Sequence, residues 1–292
     1  MSEIKSLFQE MRPKQYTKNA FVFVAPLFAR KLLQAEIAYN AILAFIAFSC
    51  VASVVYIIND IADREKDRVH PTKCRRPIAS GALGVKSAIV FALLLLALAF
   101  VISFNVNMDL LWILITYLLM NLAYSFKLKH VVIVDVLIIA MGFVLRAFAG
   151  VVATGVGATS WFVLCIFMLS LFLALAKRRG ELELLRDAKG KQRKVLKNYS
   201  ISLIDQIMAV VSAIMLTSYA LFAQGTTEYT TGGYEFNMMI TVPIVMYGVF
   251  RYMFLVHMRG LGEKPEEVLL HDKHILCTVA IYVAMVFFLR DF

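Results

Sequence analysis

An all-α polytopic bundle of about nine membrane-spanning helices, with a polar cavity open to the cytoplasm, is the fold this 292-residue sequence predicts. Three observations predict it. Hydrophobic residues make up 61% of the chain and mean hydropathy is +0.75, against an apolar share of about 45–50% in ordinary soluble domains. The apolar residues fall into stretches near the roughly 20 residues that a helix rising about 1.5 Å per residue needs to cross about 30 Å of hydrocarbon. The basic residues gather in alternate loops, as the positive-inside rule requires.

In chain order the predicted spans are 18–34, 37–59, 86–105, 109–126, 131–153, 159–176, 204–223, 237–256 and 274–290. The first has the shortest apolar run, and Pro26 implies a kink in it. With the N-terminus in the cytoplasm, 25 of the 30 Lys and Arg residues fall on the cytoplasmic side. Arg30, Lys31 and Arg290 lie outside, and Arg146 and Arg251 within spans. A different number of crossings would flip every later loop and erase this asymmetry. The net charge of +10 is therefore a charge of membrane-side loops, and no nucleic-acid partner is expected. The N-terminus lacks the short apolar core and cleavage site of a signal peptide. Cys50, Cys74, Cys165 and Cys277 form no C-x-x-C pair, so neither a zinc site nor a disulfide framework is expected. Residues 1–292 read as one transmembrane domain.

The stretch Asn59 to Gly81, NDIADREKDRVHPTKCRRPIASG, interrupts this apolar pattern. Asp60, Asp63 and Asp67 recur at i, i+3 and i+7, which places them along one stripe of a helix with Asn59 beside it. Three carboxylates so placed repel one another unless a hard cation neutralises them, and Mg²⁺ favours carboxylate oxygens together with substrate phosphates. Lys73, Arg75 and Arg76 follow, so an acidic helix end faces a basic loop. That composition suits a metal-bound diphosphate. The plain alternative is a solvated charged loop.

Further polar residues emerge on the same side. Lys14, Lys18 and Asn19 lie in a basic lead-in, RPKQYTKN, which serves either lipid anchoring or substrate contact. Asn121, Tyr124, Ser125 and Lys129 end the fourth span, with Asn121, Ser125 and Lys129 spaced i, i+4, i+8. Arg146 sits mid-span, where a cation costs at least about 2.5–3.5 kcal/mol, so a polar cavity or a partner is expected beside it. Lys177 and Arg178 leave the sixth span, where anion binding is expected. Further on, Lys189 to Lys197 reads as orienting charge, and Glu183 and Asp187 form an i, i+4 acidic pair. His271 and His274 make a weak metal pair without a third ligand.

The run NDxxDxxxD with HPTKxRRPIASG, together with YSFKLK and GFVLRAFAG, resembles the UbiA superfamily of intramembrane prenyltransferases over most of the chain. The resemblance implies a UbiA-like bundle, Mg²⁺ held by Asn59, Asp60, Asp63 and Asp67, and the three aspartates as catalytic residues. It also implies substrate contacts from Lys18, Asn19, Lys73, Arg75, Arg76, Asn121, Tyr124, Ser125, Lys129, Arg146, Lys177 and Arg178. The lead-in, the EKDRxHPTK variant and KRRGEL are similar to the branch that acts on 5-phosphoribosyl diphosphate and a polyprenyl (decaprenyl) phosphate for arabinan and cell-envelope precursors. Aromatic prenyltransferases of the superfamily carry a second DxxxD-type motif after the sixth span. This chain has Glu183 and Asp187 there, in basic surroundings that suit additional phosphate groups. The implied location is a bacterial inner (plasma) membrane, with the site cytoplasmic. Prenyl transfer to an aromatic acceptor, and transport or lipid-phosphate binding without turnover, stay open as rival readings, as does self-association.

Overall fold

The computed structural model describes residues 3–29, 31–187, 196, 198–225, 238–262 and 265–288. Most of the basic run 189–197, the loop 226–237, Arg30 and Arg290 lie outside the described residues, as does the side chain of Asp187. The described residues form helices and turns, with no strand among them. They cluster into two compact units: Met1–Leu128 with Gly142–Ala158, and Lys129–Met141 with Thr159–Phe292.

The first unit opens with α1 (Glu3–Glu10), a 3₁₀ segment (Pro13–Phe23) and α2 (Val24–Phe28). Then come α3 (Ala35–Ala62), α4 (Arg64–Arg68), α5 (Pro77–Ser80), α6 (Val85–Val106) and α7 (Met108–Phe126). Helix α8 (Val134–Thr154) contributes its first turns to the second unit and the remainder to the first. The second unit continues with α9 (Ser160–Asp187), α10 (Ile201–Gly225), α11 (Val242–Arg259), α12 (Pro265–His271) and α13 (Lys273–Phe288). Among the described residues seven helices are long and apolar enough to cross a membrane, and Lys273–Val286 is a shorter apolar helix. The second to eighth of the nine predicted spans thus become long helices, within a few residues of their predicted bounds except that the sixth runs on to Asp187, and the ninth becomes a shorter one.

The first predicted span does not form one continuous α-helix. Arg12 adopts the left-handed conformation (φ 55°), and Pro13 then starts a 3₁₀ run, where its missing N–H costs nothing. Only the short α2 follows. The 3₁₀ run is fixed from both sides. Its Val22 carbonyl lies so close to Gly150 of α8 that a Cβ there would stand 1.8 Å away, so glycine alone permits this backbone approach. Gly150→Ala is expected to cost about 1–3 kcal/mol or more through overpacking. Thermal unfolding in detergent checks this, and an unchanged midpoint would mean that the segment yields freely.

Packing in a bilayer cannot select a helix face by hydrophobicity, because lipid is as apolar as leucine. Size selects it here. On α6 the buried residues are Ala88, Ala92, Leu95, Ala99 and Ser103, a stripe of mostly small side chains that lets α6 pack closely on α3. On other faces Val90, Leu94, Val101 and Phe104 are exposed. Phe48, Val51, Val54 and Ile57 of α3 fill the core of this unit. In the second unit α9 packs chiefly on α10, around Phe172, Leu175, Ile204 and Met208.

Candidate active site

Along α3, Ser49, Ser53, Tyr56 and Asp60 recur at spacings of 4, 3 and 4 residues, one polar stripe on an otherwise apolar helix. The N-terminal lead-in docks on this stripe. Asn19 donates to Ser49 Oγ (2.9 Å), Tyr16 pairs with Ser53 Oγ (2.9 Å), and Ser53 donates to the Met11 carbonyl (3.2 Å). Arg12 lies over the Tyr56 ring, 5.0 Å from its centroid, and closes on Asp60 with both carboxylate oxygens engaged. The left-handed backbone at Arg12 aims its side chain there, a strained conformation that the surrounding contacts hold in place.

Arg76 supplies the second cation. Its Nη1 donates to Asp60 Oδ1 (2.8 Å) and to Asp67 Oδ2 (2.6 Å), so one guanidinium bridges both acids. Asp60 and Asp67 are each 3% exposed. Such short bonds from a fork-shaped donor to buried carboxylates are strong, charge-assisted ones.

The expected single acidic stripe is corrected in one respect. Helix α3 ends at Ala62, and Asp63 (φ −96°, ψ 8°) separates it from α4. The backbone bonds Asp63 N→Asn59 O and Asp67 N→Asp63 O span the break, which preserves the Asp60 to Asp67 register. Asp63 is turned toward Lys66 (3.3 Å) and is one-third exposed. Asn59 is half-buried beside the pair. Lys73 is half-buried and Arg75 exposed, and neither joins the Arg12–Asp60–Arg76–Asp67 cluster.

A fifth group stood outside the sequence reading. The Glu10 carboxyl is 1% exposed and lies against that of Asp60, with no donor on either oxygen. Two carboxyls pair only by sharing a proton. Burial, and then Asp60, push the Glu10 carboxyl up from the usual range to about 8 despite Arg12 and Arg76 nearby. Between the unfolded value of 4.5 and about 8, the folded state holds a proton that the unfolded chain has lost, so stability falls as pH rises through that window. Glu10→Gln is expected to flatten this slope, with its largest gain in unfolding temperature above pH 8. A variant as pH-sensitive as the native protein would contradict the shared proton.

Other predicted residues are placed differently. Arg146 is no cavity-lining cation. It is 6% exposed, donates to Asn19 Oδ1 (2.9 Å), Gly142 O (2.7 Å) and Tyr117 OH (2.9 Å), and sits among the rings of Phe48, Tyr117 and Phe143. Its charge is offset by amide and ring faces, and it holds Asn19 in place. Asn121 and Ser125 donate to the carbonyls four residues before them on α7. That helix ends at Phe126, so Lys129 leaves the expected stripe and lies, half-buried, in a 3₁₀ turn counted in the second unit. Tyr124 is half-buried, and Lys18 is exposed next to buried Asn19.

In the second unit Arg178 is 2% exposed and pairs with Asp135 (2.9 Å) and Glu181 (2.6 Å), while Tyr199 donates to the same aspartate (2.8 Å). Burial and two acids hold Arg178 as an ion pair inside this unit. Lys177, one residue earlier, is exposed. Glu183 is held by Arg179, which also meets Asp205. His271 and His274 fall on separate helices and bond to the Glu267 carbonyl and the Tyr247 hydroxyl.

No three acidic, cysteine or histidine side chains among the described residues are arranged to enclose an ion. The first unit nevertheless fits a hard divalent cation. Its donors are carboxylate oxygens, the two buried Glu10 oxygens accept from no side-chain or backbone N–H, and Arg76 already occupies, as a cation, the place between Asp60 and Asp67.

Residues 20–269 match the UbiA prenyltransferase family. The chain is 34% identical over 271 residues to decaprenyl-phosphate phosphoribosyltransferase of Corynebacterium glutamicum, covering 91% of this chain and 81% of that protein. It is 33% identical over 278 residues to the enzyme of the same name from Mycolicibacterium smegmatis, covering 92% and 87%. Among solved structures, a UbiA homologue from Archaeoglobus fulgidus bound to GPP and Mg²⁺ superposes with a TM-score of 0.71 at 19% identity, over 98% of this chain and all of that one.

Proposed function

Because the chain belongs to the UbiA prenyltransferase family, we propose that it transfers a 5-phosphoribosyl group from 5-phosphoribosyl diphosphate to a polyprenyl phosphate, decaprenyl phosphate in the relatives, and releases diphosphate. The observation that carries this reading is the likeness, along nearly the whole chain, to enzymes named for that transfer. The family match spans both compact units, in keeping with one domain performing one reaction.

In this reaction the bond from the ribose C1 to the diphosphate oxygen breaks, and one from C1 to an acceptor phosphate oxygen forms. The acceptor phosphate is already ionised near neutral pH, so no side chain needs to act as general base. Mg²⁺ held by Asp60 and Asp67, with Asn59 and Asp63 beside them, would neutralise charge developing on the leaving diphosphate. Arg76 and Arg12 supply fork-shaped donors for phosphoryl oxygens, and Lys73 and Arg75 add positive charge nearby. Lys18, Lys129 and Lys177 are candidates for the ribose 5-phosphate and the acceptor phosphate. Asn19, Asn121, Tyr124 and Ser125 shape the polar lining. Arg146 acts through Asn19 and Arg178 through Asp135, as positioning residues. Catalysis then rests on orientation and electrostatics. The site faces the cytoplasm of a bacterial plasma membrane, the side on which basic residues concentrate.

The test is incubation of purified protein with Mg²⁺, ribose-labelled 5-phosphoribosyl diphosphate and decaprenyl phosphate. One labelled lipid per diphosphate released is expected. Prenylation of an aromatic acid from a polyprenyl diphosphate, with no labelled lipid, would transfer the protein to the aromatic branch. Binding without any bond broken would make it a transporter or lipid-phosphate binder.

A further inference from the structure

The charges of the candidate site are spent on one another. Arg76 spans Asp60 and Asp67, Arg12 takes both oxygens of Asp60, and the acids are almost fully buried. A bare divalent cation entering here meets carboxylates already neutralised by arginine. A bare diphosphate meets arginines already neutralised by carboxylate. Either alone must break buried ion pairs and leave one partner uncompensated, the costly outcome for buried charge. A metal diphosphate supplies both missing partners at once. The aspartates pass to the cation and the arginines to the phosphoryl oxygens, with no charge left over. Both arginines are about one-quarter exposed, whereas their acidic partners are buried, so the arginines are the members of each pair with room to move.

We infer that Arg12 and Arg76 are exchange residues that make the site admit metal and diphosphate together and resist either alone. The inference rests on the reading of this cluster as the metal-diphosphate seat. It assigns Arg12, which lies 48 residues from its partner in sequence, a part in selecting the substrate complex. By linkage, any factor by which diphosphate tightens metal binding must equal the factor by which metal tightens diphosphate binding.

The experiment is a Mn²⁺ titration of the full chain in detergent, read by electron paramagnetic resonance, with and without inorganic pyrophosphate, for the native protein and Arg76→Ala. The native protein is expected to bind Mn²⁺ at least about tenfold more tightly with pyrophosphate present, within the range usual for coupled sites. Pyrophosphate also binds Mn²⁺ in solution, so the variant decides. Arg76→Ala frees Asp67 and leaves Asp60 to Arg12 alone, and its affinity for Mn²⁺ alone is expected to rise at least about fivefold while the coupling shrinks. Should Arg76→Ala fail to purify as a single species, Arg12→Ala makes the same comparison through Asp60. Unchanged or weaker binding of Mn²⁺ alone by the variant, with the native protein still taking Mn²⁺ and pyrophosphate together, would overturn the exchange and leave the site in place. No joint binding by the native protein would overturn the site itself, and the exchange with it.

Discussion

Asp60→Asn is expected to lower phosphoribosyl transfer by about a hundred- to a thousandfold, the range seen when one preorganised charge-stabilising group is removed from an active site. The substitution keeps the size of the side chain and one acceptor oxygen but withdraws the charge that Arg12 and Arg76 share. Asp67→Asn is expected to fall in the same range, because it removes the other end of the Arg76 bridge. Asp63→Asn is expected to lose less, since that carboxylate is partly exposed, is turned toward Lys66, and follows the end of α3. The measurement is initial rate at saturating substrate, alongside an unfolding curve for each variant. An Asp60→Asn protein that stays folded and turns over at near-native rate would remove Asp60 from the catalytic set.

Asp135→Ala is expected to destabilise the protein by about 3–5 kcal/mol, the cost of breaking a buried ion pair from one side. Asp135 is fully buried and holds Arg178 and Tyr199 at once, and the Tyr199 hydroxyl in turn accepts from the Ile133 amide. Ile133 carries a left-handed backbone (φ 69°), rare for a β-branched residue, so the network also clamps a strained turn at the start of α8. Losing Asp135 leaves a guanidinium 2% exposed with Glu181 as its acidic partner. Adding Arg178→Leu to the variant is expected to recover part of the loss, because an apolar replacement removes a buried charge that has lost one of its acids. An unchanged unfolding temperature for Asp135→Ala would show that the pair carries little of the stability of this unit.

What the sequence made legible, and what it hid, divides by distance along the chain. Hydropathy and charge asymmetry are local, so the second to eighth spans lie close to where the sequence places them, apart from the extension of the sixth to Asp187, as does the acidic register from Asp60 to Asp67. The break at Asp63 is local too, but i, i+3, i+7 spacing reads the same across a break that keeps its backbone bonds. The 3₁₀ lead-in was misread as a span because Ala20 to Phe28 is apolar, while the αL turn at Arg12 and the close approach of Val22 to Gly150 depend on tertiary contact. Glu10 was missed, and Arg12 was read only as part of the basic lead-in, because their meaning lies in Asp60, about fifty residues on. The spacing of Ser49, Ser53, Tyr56 and Asp60 was the available signal for that docking. Arg146 was flagged as a costly charge and Arg178 was read as an anion binder at the end of a span, but a charge in or beside an apolar helix announces only that a partner exists. Which partner, an aromatic cage for one and an aspartate for the other, is settled by packing.

The most direct measurement is electron-nuclear double resonance on the protein loaded with Mn²⁺ and 5-phosphoribosyl diphosphate. With unbound metal and ligand removed before the measurement, a phosphorus coupling to protein-bound Mn²⁺ is predicted for the native chain, absent when Asp60 and Asp67 are both replaced by asparagine. The same coupling at full strength in that double variant would place the metal diphosphate elsewhere and contradict the assignment of this site.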